Sequence, residues 1–338
     1  MKFVLNAVIV IVLGVSLATA ASAQGKGEER DIFNYVAQKK AGKDVKKIIF
    51  IADPDTHGGK GNHEFKAGAI YMARVLNARY PNCYAVVHLG GRWPGGALKV
   101  DNQALPKKSG EVWPKDIGHA DCYIVLLNHA RQAALDKDIA AAVERGAGFM
   151  AIHYGVEVSK GKQGDNFLKW IGGYFETFWS VNPHWTPKFD KIPEHETTRG
   201  VKPFSINDEW YYHMRFVEGM KGVTPVLSAV ADVKTVTGRW DGKKAGAHNG
   251  NPDVLEAVKA GKPQHVAWAY VRPDGGRGFG FTGYHNYKNL QNDSFRTLLL
   301  NAAAWTAKLD VPAEGIRTET PNDQELDRYY VEGLRMLR

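Results

Sequence analysis

The sequence predicts an α/β protein with a mostly parallel β-sheet flanked by helices, followed by an aromatic-rich insertion and a β-hairpin in its second half. Short apolar runs, typical of buried parallel strands, alternate with segments of helical spacing. Aromatic residues then concentrate in residues 167–185 and 204–216. Two β-like runs, His265–Val271 and Gly278–His285, flank Pro273-Asp274-Gly275-Gly276, which predicts the hairpin.

The alternation can be followed element by element. The predicted strands are Lys47–Ala52, Cys83–Leu89, Cys122–Asn128 and the run Phe149–Ile152, which ends at His153. The predicted helices are one starting at about Asn62 with Asn62 as N-cap, one over Ala133–Arg145, one carrying Phe295 to Trp305, and a last one over Asp323–Leu337. Such alternation implies parallel strands joined by right-handed crossovers.

The first 23 residues have the pattern of a signal peptide. Lys2 precedes the apolar run Phe3–Ala18, and Ala21-Ser22-Ala23 offers a cleavage site before Gln24. We therefore expect a periplasmic or secreted chain that starts near Gln24 and has no stable membrane anchor. The alternative, a retained anchor, requires an apolar run longer than this one. We divide the rest into a polar lead-in (24–46), an α/β domain (47–309) and a tail with a surface helix (310–338).

The distribution of charge and the positions of the cysteines argue against nucleic-acid binding and against a catalytic cysteine. The formal net charge of +8 is scattered among acidic residues, whereas nucleic-acid binding concentrates basic charge on one face, so we expect no nucleic-acid partner. Cys83 and Cys122 both open predicted strands. A strand order 2-1-3 separates them by roughly 9 to 10 Å, which is beyond disulfide reach. We expect two free, buried thiols and no catalytic cysteine.

Histidines concentrate where strands end. His153 stands where a strand-turn-helix active site normally holds a nucleophile, and its imidazole indicates acid/base chemistry or a metal instead. The carboxyl ends of parallel strands share one edge, where ligands bind. Six histidines are predicted at this edge: His57, His63, His88, His129, His153 and His285.

These landmarks resemble the class I glutamine amidotransferase-like, or flavodoxin-like, architecture. In that superfamily the elbow carries a cysteine, and a later strand ends in a histidine followed two residues on by a glutamate. Here His153 replaces the cysteine, His285 matches the histidine and Tyr287 replaces the glutamate. The loop after the third strand also lacks the oxyanion-hole glycines. Glutamine amidotransferase activity is therefore not expected.

Within the superfamily the chain is similar to the ThuA-like (trehalose utilisation) family. The resemblance runs from about Lys47 to Leu309. The segments that carry it are HGGKGNHEFKAG (57–68), AIHYGVEV (151–158), WIGGYFETFWSVNPHW (170–185), INDEWYYHMRF (206–216) and GRGFGFTGYHNY (276–287). The resemblance implies an exported sugar-metabolism protein, associated with trehalose or 3-keto-glycosides.

We expect a small carbohydrate as the partner and an isomerase, lyase or hydrolase reaction. The expected catalytic residues are His153, His285 and Glu209, with His57, His63, Glu64, Tyr154, Trp210, Tyr211 and His129 binding substrate. In a variant of this hypothesis, His57 or His63 joins His153 and His285 around a divalent metal such as zinc, with Glu209 as base. No cofactor is certain, and a non-catalytic carbohydrate-binding protein is the alternative of another class.

Overall fold

The computed structural model describes seven stretches of the chain. They are residues 44–53, 58–93, 99–100, 103–104, 110–112, 119–237 and 251–335. The predicted signal peptide, most of the lead-in and His57 lie outside these residues. None of the helices in the described stretches combines the length and apolar character needed to span a membrane.

A seven-stranded, mostly parallel sheet forms the centre of the domain, as predicted. Its strands are β1 (Lys46–Ala52), β2 (Cys83–Leu89), β3 (Cys122–Leu126), β4 (Gly148–Ile152), β5 (Val223–Ala229), β6 (Gln264–Val271) and β7 (Arg277–Phe281). Their spatial order is β5-β6-β7-β4-β3-β1-β2. The pairs β7/β4, β4/β3, β3/β1 and β1/β2 are parallel, whereas β5/β6 and β6/β7 are antiparallel.

Strand order and burial agree with the apolar runs of the sequence. All residues of β3 and β4 are buried, because helices cover both faces of a parallel sheet. β1 lies between β2 and β3, so Cys83 pairs with Lys46 on one side of it and Cys122 with Ile48 on the other. Both thiols are free and buried, which confirms the prediction. The hairpin is confirmed as β6 and β7.

Seven α-helices are described around the sheet. They are α1 (Phe65–Arg79), α2 (Lys137–Glu144), α3 (Lys162–Ile171), α4 (Lys234–Thr237), α5 (Pro252–Lys259), α6 (Asp293–Thr306) and α7 (Asp323–Arg335). The tail helix α7 lies against α1, where Tyr329 meets the ring of Tyr71 edge-on at 5.4 Å between centroids.

Two helix boundaries differ from the prediction. Helix α1 begins at Phe65 rather than Asn62, because Asn62 pairs with Asn286 in an isolated β-bridge and is not the N-cap. The helix predicted over Ala133–Arg145 is divided at Asp136, whose carboxylate caps α2 by accepting from the backbone N–H groups of Asp138 and Ile139.

The aromatic-rich insertion is irregular and consists of three very short antiparallel ladders. These pair Gly173–Tyr174 with Arg215–Phe216, His184–Trp185 with Asp208–Glu209, and Lys188–Phe189 with Phe204–Ser205. Two further small ladders pair Gly91–Trp93 with Gly110–Val112 and Lys99–Val100 with Gln103–Ala104. The ladder that contains Glu209 places this residue over the carboxyl end of the sheet.

Candidate functional site

His153 lies directly after β4, as predicted, and its backbone makes a sharp turn there. Its φ of 54° is in the left-handed region, which non-glycine residues enter mainly at constrained or functional positions. The side chain is fully buried. Its Nδ1–H donates to the carbonyl oxygen of Thr282 over 2.8 Å. In the neutral imidazole this leaves the lone pair on Nε2, facing Glu209 and Tyr211.

His285 lies four residues beyond β7, in a loop that Asp208 holds in place. The carboxylate of Asp208 is fully buried and accepts hydrogen bonds from the backbone N–H groups of Tyr284 (2.9 Å) and His285 (2.8 Å). It also accepts one from Nδ2 of Asn289 at 2.7 Å. The Asp208-Glu209 pair is therefore not a surface turn: one carboxylate anchors the His285 loop and the other faces the histidines.

Glu209 links the two predicted catalytic histidines through one oxygen. Its Oε2 lies 3.2 Å from Nδ1 of His285 and 3.5 Å from Nε2 of His153. Its Oε1 accepts a hydrogen bond of 2.8 Å from Nδ2 of Asn182. Burial alone would raise the pKa of Glu209, but hydrogen bonds and charge from the two imidazoles outweigh burial and hold this pKa well below its usual range. The carboxylate is therefore ionised at neutral pH.

His63 completes the group from the opposite side. Its backbone N–H donates to the carbonyl of His285 over 2.8 Å, which ties the two loops together. The ring centroid of His63 lies 4.2 Å from that of His285 and 5.1 Å from that of His153. One ligand atom from each of His63, His153, Glu209 and His285 lies within 4.8 Å of the others. We call these four residues the histidine cluster; three imidazoles and a carboxylate are a donor set that divalent transition metals accept.

Tyr211 contributes its hydroxyl rather than its ring face. The residue is 2 % exposed, so it does not offer the stacking surface that the sequence suggested. The hydroxyl lies 3.3 Å from Nε2 of His153 and donates to Oε2 of Glu209 across 3.4 Å. Burial and the nearby charge of Glu209 raise the pKa of Tyr211 well above its ordinary value. The phenol therefore stays protonated as a hydrogen-bond donor to the cluster.

The expectation that Trp210 binds substrate needs correction. Its ring is fully buried and packs edge-on against Phe281 and Phe295. A Cβ on Gly283 would lie 2.5 Å from the Trp210 ring, so the chain needs glycine there for close packing. Trp210 is a core residue without a face for a sugar.

The other predicted residues are spread around the cluster. Glu64 is buried beside His63, and its Oε1 accepts from the backbone N–H of Gly61 over 2.9 Å. His129 packs edge-on against Tyr154, whose ring lies 6.4 Å from that of Tyr211. Neither His129 nor His88 belongs to the cluster, and His57 is outside the described residues. The convergence expected of six histidines is thus observed for three.

The sequence reading missed His184 and Asn182. His184 pairs with Glu209 in its short ladder, and its ring centroid lies 4.6 Å from that of His285. Burial lowers the pKa of His184 against the opposing charge of Glu209. Both residues belong to the segment WSVNPHW, in which the aromatic side chains are the most conspicuous feature. Its polar residues were the available signal.

The positions on which the resemblance to amidotransferases depends carry other side chains and contacts in this chain. Tyr287, where the glutamate would stand, is buried and donates its hydroxyl to the carbonyl of Leu326 in α7 over 3.3 Å. Both cysteines lie at the opposite end of the sheet, and burial raises the pKa of the Cys122 thiol. Sheet order, the turn at His153 and the site at the carboxyl edge define an α/β protein with a mostly parallel sheet and a histidine-rich site.

Comparison with known proteins identifies the family. The family model described as ThuA, trehalose utilisation, matches residues 115–306, which is more than half of the chain, and the protein belongs to this family. Membership indicates a sugar-related function. A solved structure from Bacteroides uniformis ATCC 8492, described as that of a ThuA-like protein, aligns over 80% of this chain and 96% of its own with 15% identity and a TM-score of 0.48. No curated protein matches the chain.

Proposed function

We propose that the protein is an enzyme that acts on a disaccharide or a 3-keto-glycoside by acid/base chemistry at the histidine cluster. The observation that carries the proposal is the contact of one Glu209 oxygen with Nε2 of His153 and Nδ1 of His285, at the sheet edge where α/β proteins bind ligands. Family membership supports the sugar as substrate class.

The exposure of the side chains suggests their roles. The side chains of His285 and Glu209 are each 14% exposed, whereas that of His153 is 0% exposed. Glu209 accepts from Nδ1–H of His285, so in the neutral imidazole Nε2 is the basic nitrogen. We assign proton transfer to His285 and assign the orientation of this ring to Glu209. The fully buried His153 lies against Glu209, with 3.5 Å between its Nε2 and Oε2 of the carboxylate.

A 3-keto-glycoside suits this arrangement because its ketone makes the neighbouring C–H acidic. His285 would take that proton, and an N–H donor of the neighbouring His63 or His184 would stabilise the oxygen that becomes negative. Return of the proton at another position gives isomerisation. Its transfer from His285 to the glycosidic oxygen, as the bond from that oxygen to the adjacent carbon breaks, gives elimination, with the second sugar leaving as an alcohol.

The test is incubation of the purified protein with 3-keto-trehalose or a 3-keto-glucoside, followed by mass spectrometry and NMR of the products. We expect turnover by the wild type and a loss of about 100-fold or more in His285→Gln, the usual scale for a general acid or base. His265→Gln is the matched control, because His265 bonds Ser228 on β5 and is not a member of the cluster. Unchanged keto-sugar after incubation with the wild type would contradict the proposal for that substrate class.

The second candidate is a carbohydrate-binding protein without turnover. The replacement of the cysteine and glutamate positions by His153 and Tyr287 favours it. Calorimetric titration with the same sugars distinguishes the two functions. If the wild type and His285→Gln bind sugar equally and neither converts it, the protein is a binder.

We also propose export to the periplasm or the medium, based on the pattern of residues 1–23. Fractionation of producing cells followed by N-terminal sequencing tests this. A chain starting near Gln24 in the periplasmic or secreted fraction is the expected result, and a cytoplasmic chain that retains Met1 would contradict it.

A further inference from the structure

We infer that the histidine cluster is a binding site for one divalent transition-metal ion, with zinc as the best fit. Its four ligands are His63, His153, Glu209 and His285. The inference concerns the centre of the proposed function, but binding of the ion does not depend on which sugar the protein uses.

The spacing of the donor atoms fits a tetrahedral site. Bonds of about 2.0 to 2.2 Å around zinc place neighbouring ligand atoms about 3.3 to 3.6 Å apart. Oε2 of Glu209 lies 3.2 Å from Nδ1 of His285 and 3.5 Å from Nε2 of His153. All four donor atoms lie within 4.8 Å of one another. Side-chain adjustments of less than an ångström are therefore enough to close the site, on the scale of these bond lengths.

Atoms of His153 and Glu209 that do not face the proposed ion make hydrogen bonds of the kind that metal-binding side chains usually make. A ligating histidine usually donates its second nitrogen to a carbonyl or carboxylate, which fixes the tautomer. Nδ1–H of His153 does so with the carbonyl of Thr282 at 2.8 Å, which directs the Nε2 lone pair into the cluster. Nδ2 of Asn182 donates to Oε1, the other oxygen of Glu209, and so fixes the orientation of this carboxylate.

The backbone also fixes the ligands before any ion arrives. His63 and His153 both have a φ of 54°, and the backbone N–H of His63 donates to the carbonyl of His285. Asp208 fixes the loop on the other side of His285 through backbone N–H groups. A site fixed in this way loses little conformational entropy on binding.

The donor types set the expected selectivity. Three nitrogen donors and one carboxylate suit Zn²⁺, Co²⁺ and Ni²⁺, whereas Mg²⁺ and Ca²⁺ require mostly oxygen donors. With four protein ligands in place, a bound ion would polarise a sugar carbonyl only by accepting it as a fifth ligand. His153 and His285 would then be ligands, and the proton transfer proposed above would pass to His184, the nearest described imidazole outside the ligand set.

The test uses the full, tag-free chain, stripped with chelator and titrated separately with ZnCl₂, CoCl₂ and MgCl₂. We expect one equivalent of Zn²⁺ or Co²⁺ by elemental analysis, a visible spectrum typical of tetrahedral Co²⁺, and no comparable binding of Mg²⁺. Glu209→Gln and His285→Gln should each weaken Zn²⁺ binding by at least about 10-fold, since even loss of an outer-shell partner costs 10- to 100-fold. His265→Gln and His213→Gln serve as controls and should leave it unchanged.

Two results would overturn the inference: less than a tenth of an equivalent of Zn²⁺ bound, or binding that Glu209→Gln and His285→Gln leave unchanged. Both residues are partly exposed, so folded variants are expected, and circular dichroism checks this. Keto-sugar turnover by metal-free protein, unaffected by chelator, would leave the proposed function standing and remove the ion from it. One tightly bound equivalent in a protein that converts no sugar would support the metal site and contradict the enzyme.

Discussion

Glu209 and Glu157 are two carboxylates near the carboxyl end of β4, the first largely and the second fully buried. Their surroundings shift their pKa values in opposite directions. Two imidazoles hold the pKa of Glu209 below its usual range despite burial. Burial raises the pKa of Glu157 to about 7, because Arg131 at 3.9 Å and the hydroxyl of Thr177 at 3.4 Å offset it only in part. The charge of Glu209 adds to the rise.

The difference shows that partners rather than burial decide which group at this edge is charged. Burial penalises both anions, and the number and closeness of donors determines the outcome. Glu157 is 4% exposed, and its Oε2 has no hydrogen-bond partner among the described residues. Glu209 is thus a fixed negative charge for the histidine cluster, while Glu157 carries a proton for part of the time at neutral pH.

The largest expected effect concerns Asp208, a third buried carboxylate, which is surrounded by backbone donors. Asp208→Ala leaves the N–H groups of Tyr284 and His285 without an acceptor. We expect a loss of roughly 3 kcal/mol or more in the free energy of unfolding, since each buried unsatisfied donor costs about 1 to 3 kcal/mol. Urea denaturation measures it. Asn207 is the exposed neighbour of Asp208, and Asn207→Ala is the control. It should change the free energy of unfolding by no more than about 0.5 kcal/mol.

The activities of Glu209→Gln and Glu157→Gln test whether the two carboxylates have different roles. Each substitution removes a carboxylate while keeping its shape. We expect keto-sugar turnover to fall about 100-fold in Glu209→Gln, because the carboxylate that contacts both His153 and His285 is lost, and only a few-fold in Glu157→Gln. Equal losses in the two variants would show that the two carboxylates do not have different roles.

The pH dependence of the free energy of unfolding should reveal the protonation of Glu157 in the folded chain. Its pKa rises from 4.5 to about 7 on folding, so the folded chain binds more protons than the unfolded chain between these values. The contribution to stability is complete below pH 4.5 and is lost as the pH rises to about 7, by on the order of 3 kcal/mol at most. Glu157→Gln should flatten this slope in urea denaturation between pH 4.5 and 7.5. An unchanged slope would show that Glu157 is ionised in the folded chain.

The smallest effect is expected for Arg131→Ala. Arg131 is 46% exposed at its side chain and 3.9 Å from Glu157, so the ion pair contributes less than about 1 kcal/mol. Its removal should raise the pKa of Glu157 further and move the slope described above to higher pH. The same denaturation series checks this, and a shift to lower pH would contradict it.

The sequence predicted the parts of the site that depend on regular structure. Apolar runs located β4 and β7, and parallel strands bring their carboxyl ends together, so His153 and His285 could be paired across more than a hundred residues. His63 was placed at the same edge, although the helix start at Asn62 was wrong because bridging to Asn286 prevails over the capping preference.

The insertion could not be predicted in the same way. Its ladders are two residues long, too short for any periodicity, and their pairing is set by tertiary contacts. His184 and Asn182 reach the cluster through this irregular segment, and Trp210 is turned into the core by the same segment. A prediction from residue type alone therefore gave Trp210, a core residue, a role in stacking on a sugar.

Anomalous diffraction can show directly whether one ion binds between the four residues of the histidine cluster. These are His63, His153, Glu209 and His285. Crystals of the full chain grown with ZnCl₂ would be measured above and below the zinc absorption edge. We expect one strong anomalous peak bonded to all four residues at about 2.0 to 2.2 Å. A structure with zinc bound elsewhere, or with no peak between these side chains, would contradict it.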